Sequence, residues 1–219
     1  MNKYLTVLLL ALFCCHMNGQ KPLVISADKF HKLEKLYITG DFDGDKKTDT
    51  LFQYNYSKLK KAEILNAPDP FKTEWDTVVN WFYKQESDVR LSLKKKGSNI
   101  LHLGTAQGLN CLINVGDTNN DGKDEIALVV DYCDFSRVNS CKVFTLCNGK
   151  WTLVKRFGIH EGAFDWDADQ KRPTFTNIRG FLEQENGVWK YSDYEQNDYE
   201  TAGEVGKMII LKVDKCTSK

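Results

Sequence analysis

Apolar residues fall in short runs along most of the chain, broken by polar turns of a few residues. Runs at 36–39, 50–56, 89–94, 100–103, 109–115, 126–132, 142–147, 151–157, 174–182, 188–191 and 208–213 are rich in Val, Ile, Leu, Phe and Tyr. Side chains that are aromatic or branched at Cβ suit a pleated, half-buried surface, so each run predicts a β-strand. Asn148-Gly149 and Asn186-Gly187 each separate two such runs. Both residues of an Asn-Gly pair accept the positive φ of a tight hairpin turn. Links this short favour antiparallel neighbours, because parallel strands need a crossover of a dozen residues or more.

One stretch has a different period. From Asp69-Pro70 to about residue 84, Phe71, Trp75, Val78 and Phe82 recur at helical spacing. Asp69 suits a helix cap and Pro70 the first helical position. The pattern predicts one inserted helix near 70–84 with its apolar face turned to a core.

The chain has 219 residues, enough to bury a core as a single domain. With 42% hydrophobic and 27% charged residues, it has the composition of a globular protein and not of a disordered one. The formal charge is zero, so no basic excess is available to follow a phosphate backbone, and nucleic acid is not an expected partner.

The first twenty residues stand apart. Lys3 precedes an uncharged stretch at 5–15, polar residues follow, and Gly19-Gln20 offers a cleavage point. Eleven residues are too few to span a hydrocarbon core, which takes about twenty. Residues 1–20 therefore read as a signal peptide and 21–219 as one β-rich domain, exported to the periplasm, the outer surface or the medium. Cys14-Cys15 at the end of the apolar run adds a second reading, cleavage before a cysteine that then carries a lipid anchor. No later segment is apolar enough to cross a membrane, so the mature chain is expected to have no transmembrane helix.

Five cysteines follow the leader: Cys111, Cys133, Cys141, Cys147 and Cys216. Export permits disulfides, and an odd count leaves at least one thiol over. Cys133 and Cys141 flank the polar stretch 134–140 between two strand-like runs and are the best local pair. The alternative is a set of buried thiols. No CxxC spacing points to zinc or to thioredoxin-like chemistry.

The chemistry is concentrated in two segments of identical layout, at 40–51 and 116–127. Counted from its first aspartate, each places oxygen-bearing side chains at positions one, three, five and nine. These are Asp41, Asp43, Asp45 and Asp49 in the first loop, and Asp117, Asn119, Asp121 and Glu125 in the second. Carboxylates converging in one tight turn repel one another until a hard cation neutralises them. Calcium accepts six to eight oxygens in flexible geometry, whereas magnesium demands an octahedron and keeps more water. Main-chain carbonyls at position seven, of Lys47 and Lys123, can complete each shell. Gly122 suits the bend at position six, where the first loop carries Lys46 and takes on strain. Position twelve is Phe52 or Leu128, so the acid that closes an EF-hand is missing.

These two segments, Gly40-Asp-Phe-Asp-Gly-Asp with Asp49, and Val115-Gly-Asp-Thr-Asn-Asn-Asp-Gly-Lys-Asp-Glu-Ile, resemble FG-GAP repeats, the calcium loops of integrin α-like propellers. The chain as a whole is similar to exported bacterial proteins that carry this repeat. The resemblance implies two structural calcium sites and an antiparallel, propeller-like fold. With about two hundred residues and the loops offset by 76 residues, a partial or open propeller is expected; a two-sheet sandwich is the alternative. A third acidic run, Asp165-Trp-Asp-Ala-Asp169, repeats only the first three ligand positions, and Asp193–Glu200 is acidic and aromatic.

His31, His102 and His160 fall in no catalytic motif. The leading functional expectation is a non-catalytic exported module that offers a surface to an envelope protein or a glycan. Trp75, Trp81, Trp151, Trp166 and Trp189 are candidates for a sugar platform. The alternative is a glycan-directed hydrolase with structural calcium.

Overall fold

The computed structural model describes residues 24–93, 99–134, 136, 138–164, 175–196 and 206–216. In chain order its elements are β1 (Phe30–Lys32), β2 (Tyr37–Gly40), β3 (Asp49–Ser57), β4 (Ala62–Ile64), β5 (Asn66–Pro68), α1 (Trp75–Lys84), β6 (Ser87–Ser92) and β7 (Ile100–Gly104). There follow β8 (Ala106–Gly116), β9 (Glu125–Tyr132), β10 (Val138–Cys147), β11 (Lys150–His160), β12 (Leu182–Glu185), β13 (Val188–Tyr191) and β14 (Ile209–Ile210). The protein is mainly β with one α-helix, and the pairings among the described strands are antiparallel.

Besides a two-stranded sheet of β1 and β5, three larger sheets follow one another along the chain among the described residues. The first is ordered β2-β3-β6-β7, with β4 also paired to β3. The second is the meander β8-β9-β10-β11, and the third is β12-β13-β14. The second sheet lies between the other two, which explains why its strands read as nearly continuous apolar runs. Along β9, Ile126, Leu128 and Val130 join Ile38, Leu51, Val89 and Leu91 of the first sheet. The alternate residues Ala127 and Val129 join Leu182, Trp189 and Tyr191 of the third. Side chains on successive residues of a strand point to opposite faces, so one strand supplies two cores. Each large side chain fully buried there contributes about 1.5–3 kcal/mol.

Both Asn-Gly links form as expected. Asn148 and Gly149 have φ of 49° and 76° between β10 and β11, and Asn186 and Gly187 have 51° and 79° between β12 and β13. Two expected strands are shorter than their apolar runs. Of the described residues 175–182 only Leu182 enters a strand; Ile178 turns back to bridge it. Ile178, Phe181 and Leu182 plug the core from this turn instead of alternating across a sheet. Of 208–213 only Ile209–Ile210 pairs, because the chain then leaves β13 to cross the molecule.

The helix begins later than its period implies. Asp69 accepts the Phe71 N–H on its side chain (2.9 Å) and the Lys72 N–H on its carbonyl (3.0 Å), which closes a local turn. The first helical bonds instead run to the Glu74 carbonyl, from Thr77 and Val78. Phe71 is therefore outside α1 and 96% exposed, whereas Val78 and Phe82 are buried against Leu33, Ile64 and Ala67.

The Cys133–Cys141 pairing does not form. β10 starts at Val138, so Cys141 sits inside it opposite Val129, in the core shared with the third sheet. Cys133 lies past the end of β9 in the small core around α1. The bridge that does form joins Cys147, at the end of β10, to Cys216, with Cα atoms 5.6 Å apart. Cys111, Cys133 and Cys141 are free and buried. Burial pushes the Cys111 and Cys133 thiols up to about 12, which keeps them unreactive at neutral pH.

A buried charge cross-braces the first sheet. Asp88, 1% exposed on β6, accepts from Arg90 Nε at 2.8 Å and from the Gly104 N–H at 3.2 Å, and lies 2.7 Å from His102 Nδ1. Arg90 also stacks 3.8 Å from the centroid of the Tyr56 ring. Burial pushes the Asp88 carboxyl up, but the hydrogen bonds from His102, Arg90 and Gly104 outweigh it and hold it below the usual aspartate range. A depressed folded value adds stability above the unfolded pKa, and that stability is lost as pH falls through the folded value. Asp88→Asn should cost about 1–3 kcal/mol at pH 7. Its deficit against the native chain should narrow in urea melts below pH 4, whereas a constant deficit would contradict the charge-based account.

Candidate metal centre

The two acidic loops occupy equivalent places, the first joining β2 to β3 and the second β8 to β9. Their backbones match. Positions four and six have positive φ in both: Gly44 (82°) and Lys46 (64°) in the first, Asn120 (57°) and Gly122 (87°) in the second. Lys46 therefore holds a left-handed conformation that costs a residue with a Cβ about 1 kcal/mol.

The hydrogen bonds match as well. The first acid receives the N–H of position six, Asp41 Oδ2 from Lys46 and Asp117 Oδ2 from Gly122, both at 2.9 Å. The acid at position five receives the N–H of position seven, Asp45 Oδ1 from Lys47 at 2.8 Å and Asp121 Oδ1 from Lys123 at 3.1 Å. Each loop is thus curled around its own carboxylates.

Ligand-capable oxygens gather in both. Asp41, Asp43 and Asp49 bring one carboxylate oxygen each within 4.8 Å of the others, and so do Asp117, Asp121 and Glu125. Either group can hold a metal ion. Asp45 is the exception in the first loop, its Oδ2 lying 2.8 Å from Lys47 Nζ. Asn119 is 8% exposed, and its amide nitrogen donates to Glu125 Oε1 at 3.0 Å. The loops differ in depth, because Glu125 is wholly buried whereas Asp43 and Asp45 are exposed.

The acceptors are over-supplied relative to the donors. Asp49 Oδ2, Asn119 Oδ1 and Asp121 Oδ2 are buried and meet no hydrogen-bond donor. A buried acceptor without a donor costs about 1–3 kcal/mol, more if charged. All three stand at ligand positions of the 1-3-5-9 pattern, Asp49 in the first loop and the other two in the second, and a hard cation in each loop is the species that would use them. The electrostatics agree. Burial, then the charges of Asp43 and Asp45, push the Asp49 carboxyl above its usual range. Burial also raises Glu125, with Asp121 and Asp117 adding to it against the opposing Thr118 hydrogen bonds.

The loops are docked on each other through residues that ligand spacing does not single out. The Asp124 N–H donates to the Asp41 carbonyl at 2.8 Å. Asp124 Oδ2 accepts from the Asp41 N–H at 3.0 Å and from Asn114 Nδ2 at 2.9 Å, and Asn114 also reaches the Thr39 carbonyl. Gly40 makes room for this joint, since a Cβ there would stand 2.4 Å from Asn114 Nδ2 and 2.5 Å from Asp124 Oδ2. The C-terminal segment covers the second loop: Lys215 Nζ donates to the Asn120 carbonyl at 3.0 Å, and Asn119 Nδ2 lies 3.4 Å from the Asp214 carbonyl.

The remaining candidates lie elsewhere. His160 Nδ1 accepts the Gly162 N–H at 3.1 Å, and its ring packs edge-on to Tyr194. Trp75 and Trp81 pack against the α1 core, Trp151 against the core of the first two sheets, and Trp189 is buried in the other main core. The acidic run 165–169 with Trp166, residues 197–200 of the C-terminal run, and Cys14 and Cys15 lie outside the described residues.

Fold and site together define a mainly β protein with two paired acidic loops able to hold metal ions. In comparisons with known proteins, the chain matched no family model, no curated protein and no solved structure.

Proposed function

We propose that the chain is an exported, non-catalytic module that binds calcium at both loops and presents a surface to an envelope protein or a glycan. The observation that carries this reading is the set of buried, donor-less oxygens at ligand positions of two loops with one backbone shape. Calcium fits the donor set better than magnesium, since carboxylates, an amide oxygen and a carbonyl form a flexible, high-coordination shell. Support for export comes from the leader-like residues 1–20 and from the Cys147–Cys216 disulfide, which is characteristic of oxidising compartments. Among the described residues, no helix is long and apolar enough to cross a membrane.

The ion's role in this reading is mechanical. It neutralises the loop acids, locks the β2–β3 and β8–β9 connections, and through the Asp41–Asp124 joint fixes one sheet on the next. With calcium at about 100 times its Kd, one site adds roughly 2.7 kcal/mol. Melting the purified chain in calcium and in chelator should therefore show a rise of about 5–10 °C. The rise should shrink in an Asp117→Ala, Asp121→Ala variant. It should also shrink as pH falls, because protons compete with calcium for carboxyls whose pKa is already raised. An unchanged melting temperature in calcium would sink the proposal.

A further inference from the structure

A cleft of about 460 Å3 opens between β1, the 69–72 turn, the start of α1, the middle of β3 and the first half of β8. It is separate from both acidic loops. Its volume falls within the roughly 300–1,000 Å3 of small-molecule sites.

One side of the cleft is aromatic. Phe71 and Trp75 both line it. Phe71 is held there by the Asp69 turn and is 96% exposed. The other side is amide. Gln53 and Asn110, 3% and 7% exposed, are polar residues buried on strands whose neighbours are apolar. Their arrangement is ordered: Asn55 Nδ2 donates to the Gln107 carbonyl at 2.7 Å, which turns Asn55 Oδ1 toward Gln53 Nε2 at 3.4 Å. The Gln53 donor is thereby used within the protein, and Gln53 Oε1 remains buried with no donor facing it. His31 Nδ1, also in the cleft wall, is in the same position.

A buried acceptor and an unpartnered imidazole nitrogen lie beside two aromatic side chains, and the charges around them disfavour an anion. Lys32 is outnumbered by Glu34 and Asp131 in the lining. A ligand that matches must carry no negative charge, must offer several hydroxyls, and must present a flat apolar face. A sugar ring has all three, with its C–H face toward the aromatics and its equatorial hydroxyls at the edge. We infer that this cleft binds a neutral saccharide, the ring lying on Phe71 and Trp75 and its hydroxyls donating to Gln53 Oε1 and hydrogen-bonding His31 Nδ1. The inference rests on the binding-module reading and names its ligand class.

The test uses the calcium-loaded chain and a panel of cellobiose, maltose, lactose, mannobiose and N,N′-diacetylchitobiose, read by tryptophan fluorescence and calorimetry. At least one disaccharide should bind saturably, and Phe71→Ala should weaken it about tenfold or more. Because Phe71 is exposed, that variant should keep the native melting temperature and calcium response. Gln53→Leu should also weaken binding. No saturable binding by any of the five up to about 10 mM would overturn the inference, as would equal binding by Phe71→Ala. Unaltered sugar after long incubation supports the module reading. Release of monosaccharide would overturn that reading while leaving the cleft assignment intact, and a missing calcium response would count against the loops alone.

Discussion

Replacing both Cys147 and Cys216 by serine lowers the melting temperature by about 10 °C. The two residues are 69 apart in sequence. Closing a loop of that length removes enough unfolded-chain entropy to be worth about 4 kcal/mol. For a chain of this size each kcal/mol shifts the melting temperature by about 2–4 °C. The three other described cysteines are buried, and burial raises all three thiols, so they will not reshuffle into the vacated pairing. A second effect separates this bridge from a generic staple. It holds the segment whose Asp214 carbonyl and Lys215 ammonium lie on Asn119 and Asn120. Freeing that segment exposes the position-three ligand to water, so calcium binding at the second loop should weaken along with the fold. Thermal melts of the double-serine chain, with and without calcium, check both parts. An unchanged melting temperature would contradict the first, and an undiminished calcium increment the second.

The second large effect is expected at a residue that holds no metal. Asp124→Ala removes the acceptor of the Asp41 N–H and of Asn114 Nδ2. Hydrogen bonds to a charged group are worth about 1.5–3 kcal/mol, and the two donors left behind in a half-buried joint add to the loss. The expected cost is about 2–3 kcal/mol. Its signature is positional. Asp41 is both the partner of Asp124 and position one of the other loop, so the substitution should weaken calcium at 40–51, across a sequence separation of 83, more than at 116–127. Calorimetric titration that resolves two sites would show the weaker one moving. Equal weakening of both sites, or of neither, would deny the coupling.

These two predictions also mark the boundary of what the sequence discloses. Strands with a regular apolar pattern and the two Asn-Gly turns are legible because their causes are local: side-chain shape, alternation and positive φ. The loops are legible for the same reason, since 1-3-5-9 spacing is a property of a dozen consecutive residues. Asp124 is not, because position eight has no ligand role and its partner is on another sheet. The Cys147–Cys216 bridge is likewise a consequence of where the C-terminal segment crosses, whereas Cys133 and Cys141 are close in sequence but belong to different cores. The helix starts later than its period predicts because equally local signals compete, and the Asp69 side chain closes a turn on Phe71 before a helix can begin. Phe71, at a core position of the helical pattern, is instead the exposed aromatic of the cleft.

Ser57 and Ser87 face each other at the last rung of the β3–β6 ladder. Between those two serines the chain first adds β4 to the same sheet against β3, then pairs β5 with β1 and forms α1 before it returns at β6. Phe71 and Trp75 both travel on this excursion, whereas the cation loops and the disulfide do not. Changes confined to 69–75 would therefore reshape the aromatic wall of the cleft while leaving both acidic loops and the disulfide in place.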